Sequence, residues 1–350
     1  MKALAVKPGD PKSLGVIDVP PPGPREGSIL VRTRAIGICG TDLEIINEGY
    51  GEPPDGEDRL ILGHESLGEV VEAPADSRFF PGQLVVGIVR RPDPEPCVHC
   101  SRGEVDMCRN GLYRERGILG LPGYASEFFR LEPDFAVPVD PRLGELGVLV
   151  EPASVVAKAG DHALHMLRRE NIPVSVALVT GAGPIGLLAA MMLRRRGIDT
   201  YVVDVVEEGP KPDLVRQIGA HYHAGSPTDL KIQPEAIIEC TGIGKVATAA
   251  GSISAPGAVM ALTGIAASST AYETDLNAMN RRLVLGNRVV FGSVNAARRH
   301  YELAANALAD FDPDLLSRLI NRRVRFDRWE EAMTRQQDDL KVVLDFVRSD

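Results

Sequence analysis

Cys39 in "GICGTDLEI", the pair His64 and Glu65 in "LILGHESLGEVVE", and Glu151 in "LVEPASV" share one trait: each sits at a glycine- or proline-marked break beside an apolar run. Taken singly they say little, because an isolated cysteine usually behaves as a small buried hydrophobe. Together they offer a thiolate, an imidazole and a carboxylate, the donors a catalytic zinc uses while keeping one coordination position open. A second constellation is "CVHCSRGEVDMC", where Cys97, Cys100 and Cys108 form C-x2-C-x7-C. Three of the five cysteines crowded so closely point to a metal rather than a disulfide framework.

A third group binds phosphate. In "VALVTGAGPIGLLAA" the glycines Gly181, Gly183 and Gly186 make G-x-G-x-x-G, with Pro184 and Ile185 opening the following helix. The first glycine permits the tight turn, the second lets backbone approach a pyrophosphate, and the third lets helix pack on strand. The helix N-terminus then meets the phosphates with unpaired N–H groups. Asp204, 18 positions after Gly186 at the end of the next apolar run, is placed to accept hydrogen bonds from the adenosine ribose and to repel a 2′-phosphate. Val205 and Val206 follow it and the first basic side chain is Lys211, so NAD is favoured over NADP.

The elements that must position these groups fall into two classes. Residues 1–157 read as short β-branched runs broken by Gly and Pro, a β-rich domain. Residues 158–295 alternate strand and helix, which implies a doubly wound parallel sheet. Residues 296–350 read as helical with a closing apolar strand, "LKVVLDFV", that is expected to return to the first domain. A formal charge of −9, from 48 acidic against 39 basic residues, argues against nucleic acid or an anionic membrane surface as partner. No leader-like apolar segment and no run of about 18 apolar residues is present, so a cytoplasmic location is expected.

In order along the chain, "GICGTD", "GHE" with Gly68, the Pro81–Gly82 turn, the cysteine-rich stretch, "EPASV" and "GAGPIG" resemble the zinc-dependent medium-chain dehydrogenases/reductases over nearly the whole length. The details "GIVRRPD", "DMCRNGLYRERGI" and "FGSVNA" are most similar to the glucose (aldose) dehydrogenase branch. The resemblance implies an α/β fold made of a β-rich GroES-like catalytic domain and a Rossmann nucleotide-binding domain. It implies zinc on Cys39, His64 and Glu151 with a water, and Glu65 as a neighbour able to enter the coordination shell. Thr41 would contact the reacting hydroxyl, and the proton would leave through Glu44 or through the water on zinc.

It further implies backbone contacts from Leu262, Thr263 and Val294 to the nicotinamide carboxamide, with Asn295 where nicotinamide and sugar meet. Glu65, Glu115, Glu151 and Asn295 become the candidate partners of sugar hydroxyls. For Glu115 a surface ion pair with Arg114 or Arg116 is the alternative. In the cysteine stretch relatives carry a fourth cysteine where this chain has Pro94. Asp93 is the first choice for the fourth ligand of a structural zinc, before Glu95 or His99.

The expected reaction is oxidation of an aldose, D-glucose at C1 to the lactone, with hydride transfer to NAD(P). Other sugars or polyols, an NAD-binding sensor without catalysis, and a zinc-free quinone or enone reductase are the competing readings. Relatives form dimers or tetramers by extending the nucleotide-domain sheet, and "RRLVLGNRVVFGSV" offers a suitable strand.

Overall fold

A computed structural model describes residues 1–171, 173–265 and 271–346. The chain divides into two compact units, residues 1–154 with 295–350, and residues 155–294.

In the first unit the main sheet is built around strand Ile29–Ile38. Its sequence ILVRTRAIGI alternates at the start, and Ile29, Val31, Thr33 and Ala35 are buried while Arg32 faces solvent. That period-2 pattern is what a half-buried antiparallel strand requires. Strand Glu65–Glu72 pairs antiparallel on one side and strand Val342–Asp345 on the other. The closing strand therefore joins the sheet of the first unit. Ile29, Ile36, Val70, Tyr124, Phe129, Leu131 and Leu344 fill the core beneath.

The register matters for chemistry. Gly37 stands opposite both Glu65 and Val343, and Ile38 stands opposite Val342. The end of the central strand thus brings residues at 37–39, 64–65 and 341 to one level. Helix Gly40–Glu48 starts immediately afterwards with Cys39 as its N-cap, and Asp42 Oδ2 accepts from the Cys39 N–H at 2.9 Å. A carboxylate in this position satisfies one of the free donors of a helix start.

The second unit is a six-stranded parallel sheet among the described residues. Its order is His221–Ala224, Asp199–Asp204, Val176–Thr180, Ala236–Glu239, Val259–Leu262 and Val289–Gly292. Chain order reverses beside Val176–Thr180, and ligands of such sheets bind outside the strand ends at this switch. The sheet is covered by helices such as Pro184–Arg195, with Leu178, Val203, Ile237 and Met260 in its core. No helix among the described residues is long and apolar enough to cross a membrane.

Candidate functional site

The first unit gathers its donors at that common level. Ligand atoms of Cys39, His64 and Glu65 all lie within 4.8 Å of one another, with His64 and Glu65 buried. Cys39 Sγ and Thr41 Oγ1 are 3.8 Å apart. Glu151, in the first turn of helix Val150–Leu167, is buried and close enough to feel the charges of His64, Glu65 and Lys341. Asp42 Oδ1 lies 3.6 Å from His64 Nδ1, too far for a hydrogen bond, and both atoms are buried without a hydrogen-bond partner.

The titrations follow from this crowding. Burial opposes charge on His64, yet Asp42 and the Cys39 thiol together hold its pKa well above the ordinary histidine value. Burial pushes Glu151 up to about 7, with Glu65 adding to the rise while His64 and Lys341 oppose it. The thiol of Cys39, the imidazole of His64 and the carboxylate of Glu65, packed together beside orphaned polar atoms, fit a zinc ion, whereas Glu151 lies outside that 4.8 Å cluster. Glu65 differs: both of its oxygens lie 2.6 Å from Lys341 Nζ. Glu44 is partly buried and held above the usual carboxylate range by that burial and by Glu48.

Glu115 is not part of a surface ion pair. It is buried, and its Oε1 accepts from Arg90 Nε at 2.9 Å and from Asn295 Nδ2 at 2.7 Å. Arg114 turns instead to Asp55, and Arg116 donates to the carbonyls of Pro122 and Arg130. Asn295 itself adopts φ +59°, a left-handed conformation that asparagine tolerates better than most residues. Arg90 also stacks 3.7 Å from the Tyr113 ring centroid, which fixes the guanidinium that orients Glu115.

In the cysteine lobe the thiols of Cys97, Cys100 and Cys108 converge within 4.8 Å. Asp93 does not join them. It is buried with Oδ1 accepting from the Glu95 N–H at 2.9 Å and Oδ2 accepting from Asn110 Nδ2 at 2.7 Å. The donor set is therefore one short of the four that a closed structural zinc takes. The Arg109 N–H, donating to Cys97 Sγ at 3.4 Å, brings that thiol down to about 6, while burial pushes Cys100 up to about 11.

The second unit carries the nucleotide turn. Helix Pro184–Arg195 has Gly183 as N-cap and Pro184 and Ile185 as its first two residues. A Cβ on Gly186 would stand 1.8 Å from the Gly181 carbonyl oxygen, so only glycine fits there. Asp204 Oδ2 accepts from the Ala182 N–H at 2.7 Å, and Oδ1 from the N–H groups of Val205 and Val206. Lys211 Nζ lies 3.2 Å from Oδ2. Although burial raises it, these N–H donors and Lys211 hold the carboxyl below its ordinary value. Thr263 donates its N–H and hydroxyl to the Glu239 carbonyl, beside Leu262 at the end of its strand. The Val294 carbonyl accepts from Lys158 Nζ at 2.9 Å.

Four contributors were not singled out from sequence as part of a site: Lys341, Asp42, Arg90 and the Lys211 partnership with Asp204. Asp42 had a usable signal, since a carboxylate three residues after a helix start often caps it.

Residues 25–141 match the family of alcohol dehydrogenase GroES-like domains, and residues 144–346 match the family described as glucose dehydrogenase C-terminus. The chain is 37% identical to a glucose 1-dehydrogenase of Methanocella arvoryzae over 99% of both chains. It is 39% identical to one of Thermoproteus tenax, over 98% of this chain and 99% of that one. Among solved structures, Haloferax mediterranei glucose dehydrogenase in complex with NADP, zinc and gluconolactone superposes with a TM-score of 0.92 at 35% identity, covering 100% of each chain.

Proposed function

Because the chain belongs to the glucose dehydrogenase branch of the zinc-dependent medium-chain dehydrogenases, we propose that it oxidises D-glucose at C1 to glucono-1,5-lactone and passes the hydride to a nicotinamide dinucleotide. What supports this reading is the convergence of the Cys39, His64 and Glu65 donors, with the buried Glu151 within electrostatic reach of them, in a chain of full-length similarity to glucose 1-dehydrogenases. Cys39, His64 and Glu151 would hold the zinc, which when bound supplies Lewis acidity that lowers the pKa of the anomeric hydroxyl. A nicotinamide dinucleotide with its pyrophosphate on the Gly181–Gly186 turn would supply the hydride acceptor.

The chain's own residues do the positioning. Thr41 contacts the reacting hydroxyl, and Glu44, with its raised pKa, takes the proton toward solvent. Glu115, held by Arg90, and Asn295, which donates to Glu115, orient the remaining sugar hydroxyls, and a site built to pair such hydroxyls rejects analogues that lack them. Asp204 favours NAD, and Lys211 tempers that preference by offsetting the charge a 2′-phosphate would meet. In the cysteine lobe a second zinc binds on three thiolates and is held less tightly than the first. Strand Val289–Gly292 at the sheet edge, with the exposed Leu276, Val284 and Leu285 nearby in sequence, mediates a homo-oligomer that sedimentation of the purified chain tests.

An initial-rate panel of aldoses with NAD and NADP in parallel tests the main reading. Glucose is expected to exceed galactose and xylose in kcat/KM, and turnover independent of zinc would overturn the proposal. For the cofactor, Lys211→Ala is expected to lower kcat/KM with NADP about tenfold more than with NAD, the loss of one charge-assisted contact. Equal losses would remove Lys211 from the discrimination.

A further inference from the structure

Glu239 is a buried carboxylate that takes no part in the proposed chemistry. It ends strand Ala236–Glu239, level with Thr180 on the neighbouring strand that leads into the Gly181 turn. Its Oε1 accepts from Thr180 Oγ1 at 3.1 Å, from the Thr241 N–H at 2.8 Å and from the Thr241 hydroxyl. Its Oε2 accepts from the Gly242 N–H at 3.1 Å. The donors are two hydroxyls and two N–H groups, none of them a cation. A carboxylate only 1% exposed is costly to bury unless its donors are all held in place, so the chain around it is tied to one arrangement.

The main chain of the same residue ties a second turn. The Glu239 carbonyl accepts from the Thr263 N–H at 2.8 Å, the Thr263 hydroxyl at 2.7 Å and the Gly264 N–H at 3.2 Å. A Cβ on Gly264 would stand 2.1 Å from the Gly242 nitrogen, so the two turns meet backbone to backbone. On the other side a Cβ on Gly181, at φ +86°, would stand 3.0 Å from Thr241 Cγ2, so Thr241 closes against the nucleotide turn. The Thr241 hydroxyl also accepts from the N–H of Ile243, the N-cap of helix Gly244–Ser252, at 3.0 Å.

Asp204 ends the strand on one side of Val176–Thr180, and Glu239 ends the strand on the other. A dinucleotide lies across the point where the strand order reverses, so with adenosine at Asp204 its second half extends toward Glu239 and Thr263. We propose that Glu239 is a positioning residue that presets the Gly181, Thr241 and Thr263 turns as one surface for the nicotinamide half of the cofactor. The inference rests on the dinucleotide reading of the Gly181–Gly186 turn.

Calorimetry of the full-length protein with NAD and with ADP-ribose, which keeps the adenosine and diphosphate but lacks the nicotinamide, tests it. Glu239→Gln removes the charge and turns one acceptor into a donor. NAD is expected to bind about tenfold more weakly, the scale of one hydrogen bond to a charged group, while ADP-ribose changes less than about twofold. Thr241→Val removes one donor and gives a reading that does not depend on how Glu239→Gln folds; a loss of about threefold for NAD alone is expected. Equal losses for both ligands make Glu239 a support of the whole unit and overturn the proposal, as does unchanged NAD binding in both variants. Wild-type protein that binds neither ligand sinks the dinucleotide reading itself.

Discussion

The metal pocket and the cysteine lobe lie in the same unit and both gather thiols, but they handle charge in opposite ways. The pocket is buried, mixes thiol, imidazole and carboxyl, and brings a cation of its own in Lys341. In the lobe, Cys97 and Cys108 are partly exposed, and the Asp93 carboxylate accepts from the Glu95 N–H and Asn110 Nδ2. In the pocket the Glu65 carboxylate is engaged by a buried cation, both of its oxygens lying 2.6 Å from Lys341 Nζ.

His64→Ala is the most severe way to test that contrast. It is expected to remove the pocket zinc and lower kcat/KM by at least about a thousandfold, since the Lewis-acid contribution is several kcal/mol. Metal analysis and initial rates check this, and retained zinc-dependent turnover would remove His64 from the site. The lobe gives a smaller effect. Asp93→Asn is expected to cost about 1 kcal/mol of stability through the weakened bonds to Glu95 and Asn110 while leaving zinc content unchanged. Loss of one zinc per chain in that variant would return Asp93 to the role of ligand.

The smallest effect is in pH, where the two regions pull in opposite directions once metal is stripped by chelator. Glu151, raised from 4.5 to about 7, binds its proton more tightly folded than unfolded. Its contribution is therefore present below 4.5 and lost as pH rises through about 7. Cys97, lowered from 9.0 to about 6, contributes above 9.0 and loses that contribution as pH falls through about 6. Melting of the stripped protein from pH 4 to 9 checks both: Glu151→Gln is expected to flatten the acid side and Cys97→Ser the alkaline side, and unchanged profiles would refute the assignment.

Much of this was legible in the residues because the signals are local. Gly181, Gly183, Gly186 and Asp204 span one strand, turn, helix and strand, so their spacing carries their geometry. Cys39 and His64 sit at breaks that a reader can see. Glu115 was harder, because its chain neighbours Arg114 and Arg116 look like natural partners. Its actual partners are 25 and 180 positions away. Asp93 suits a ligand by spacing, and only the folded loop shows its oxygens already taken. Lys341 carried no mark at all, being one lysine ahead of an ordinary apolar strand.

Glu65 and Lys341 are separated by 276 positions. Closing a loop of that length costs on the order of 5 kcal/mol of chain entropy, which the buried ion pair and the pairing of strand Val342–Asp345 with strand Ile29–Ile38 must offset.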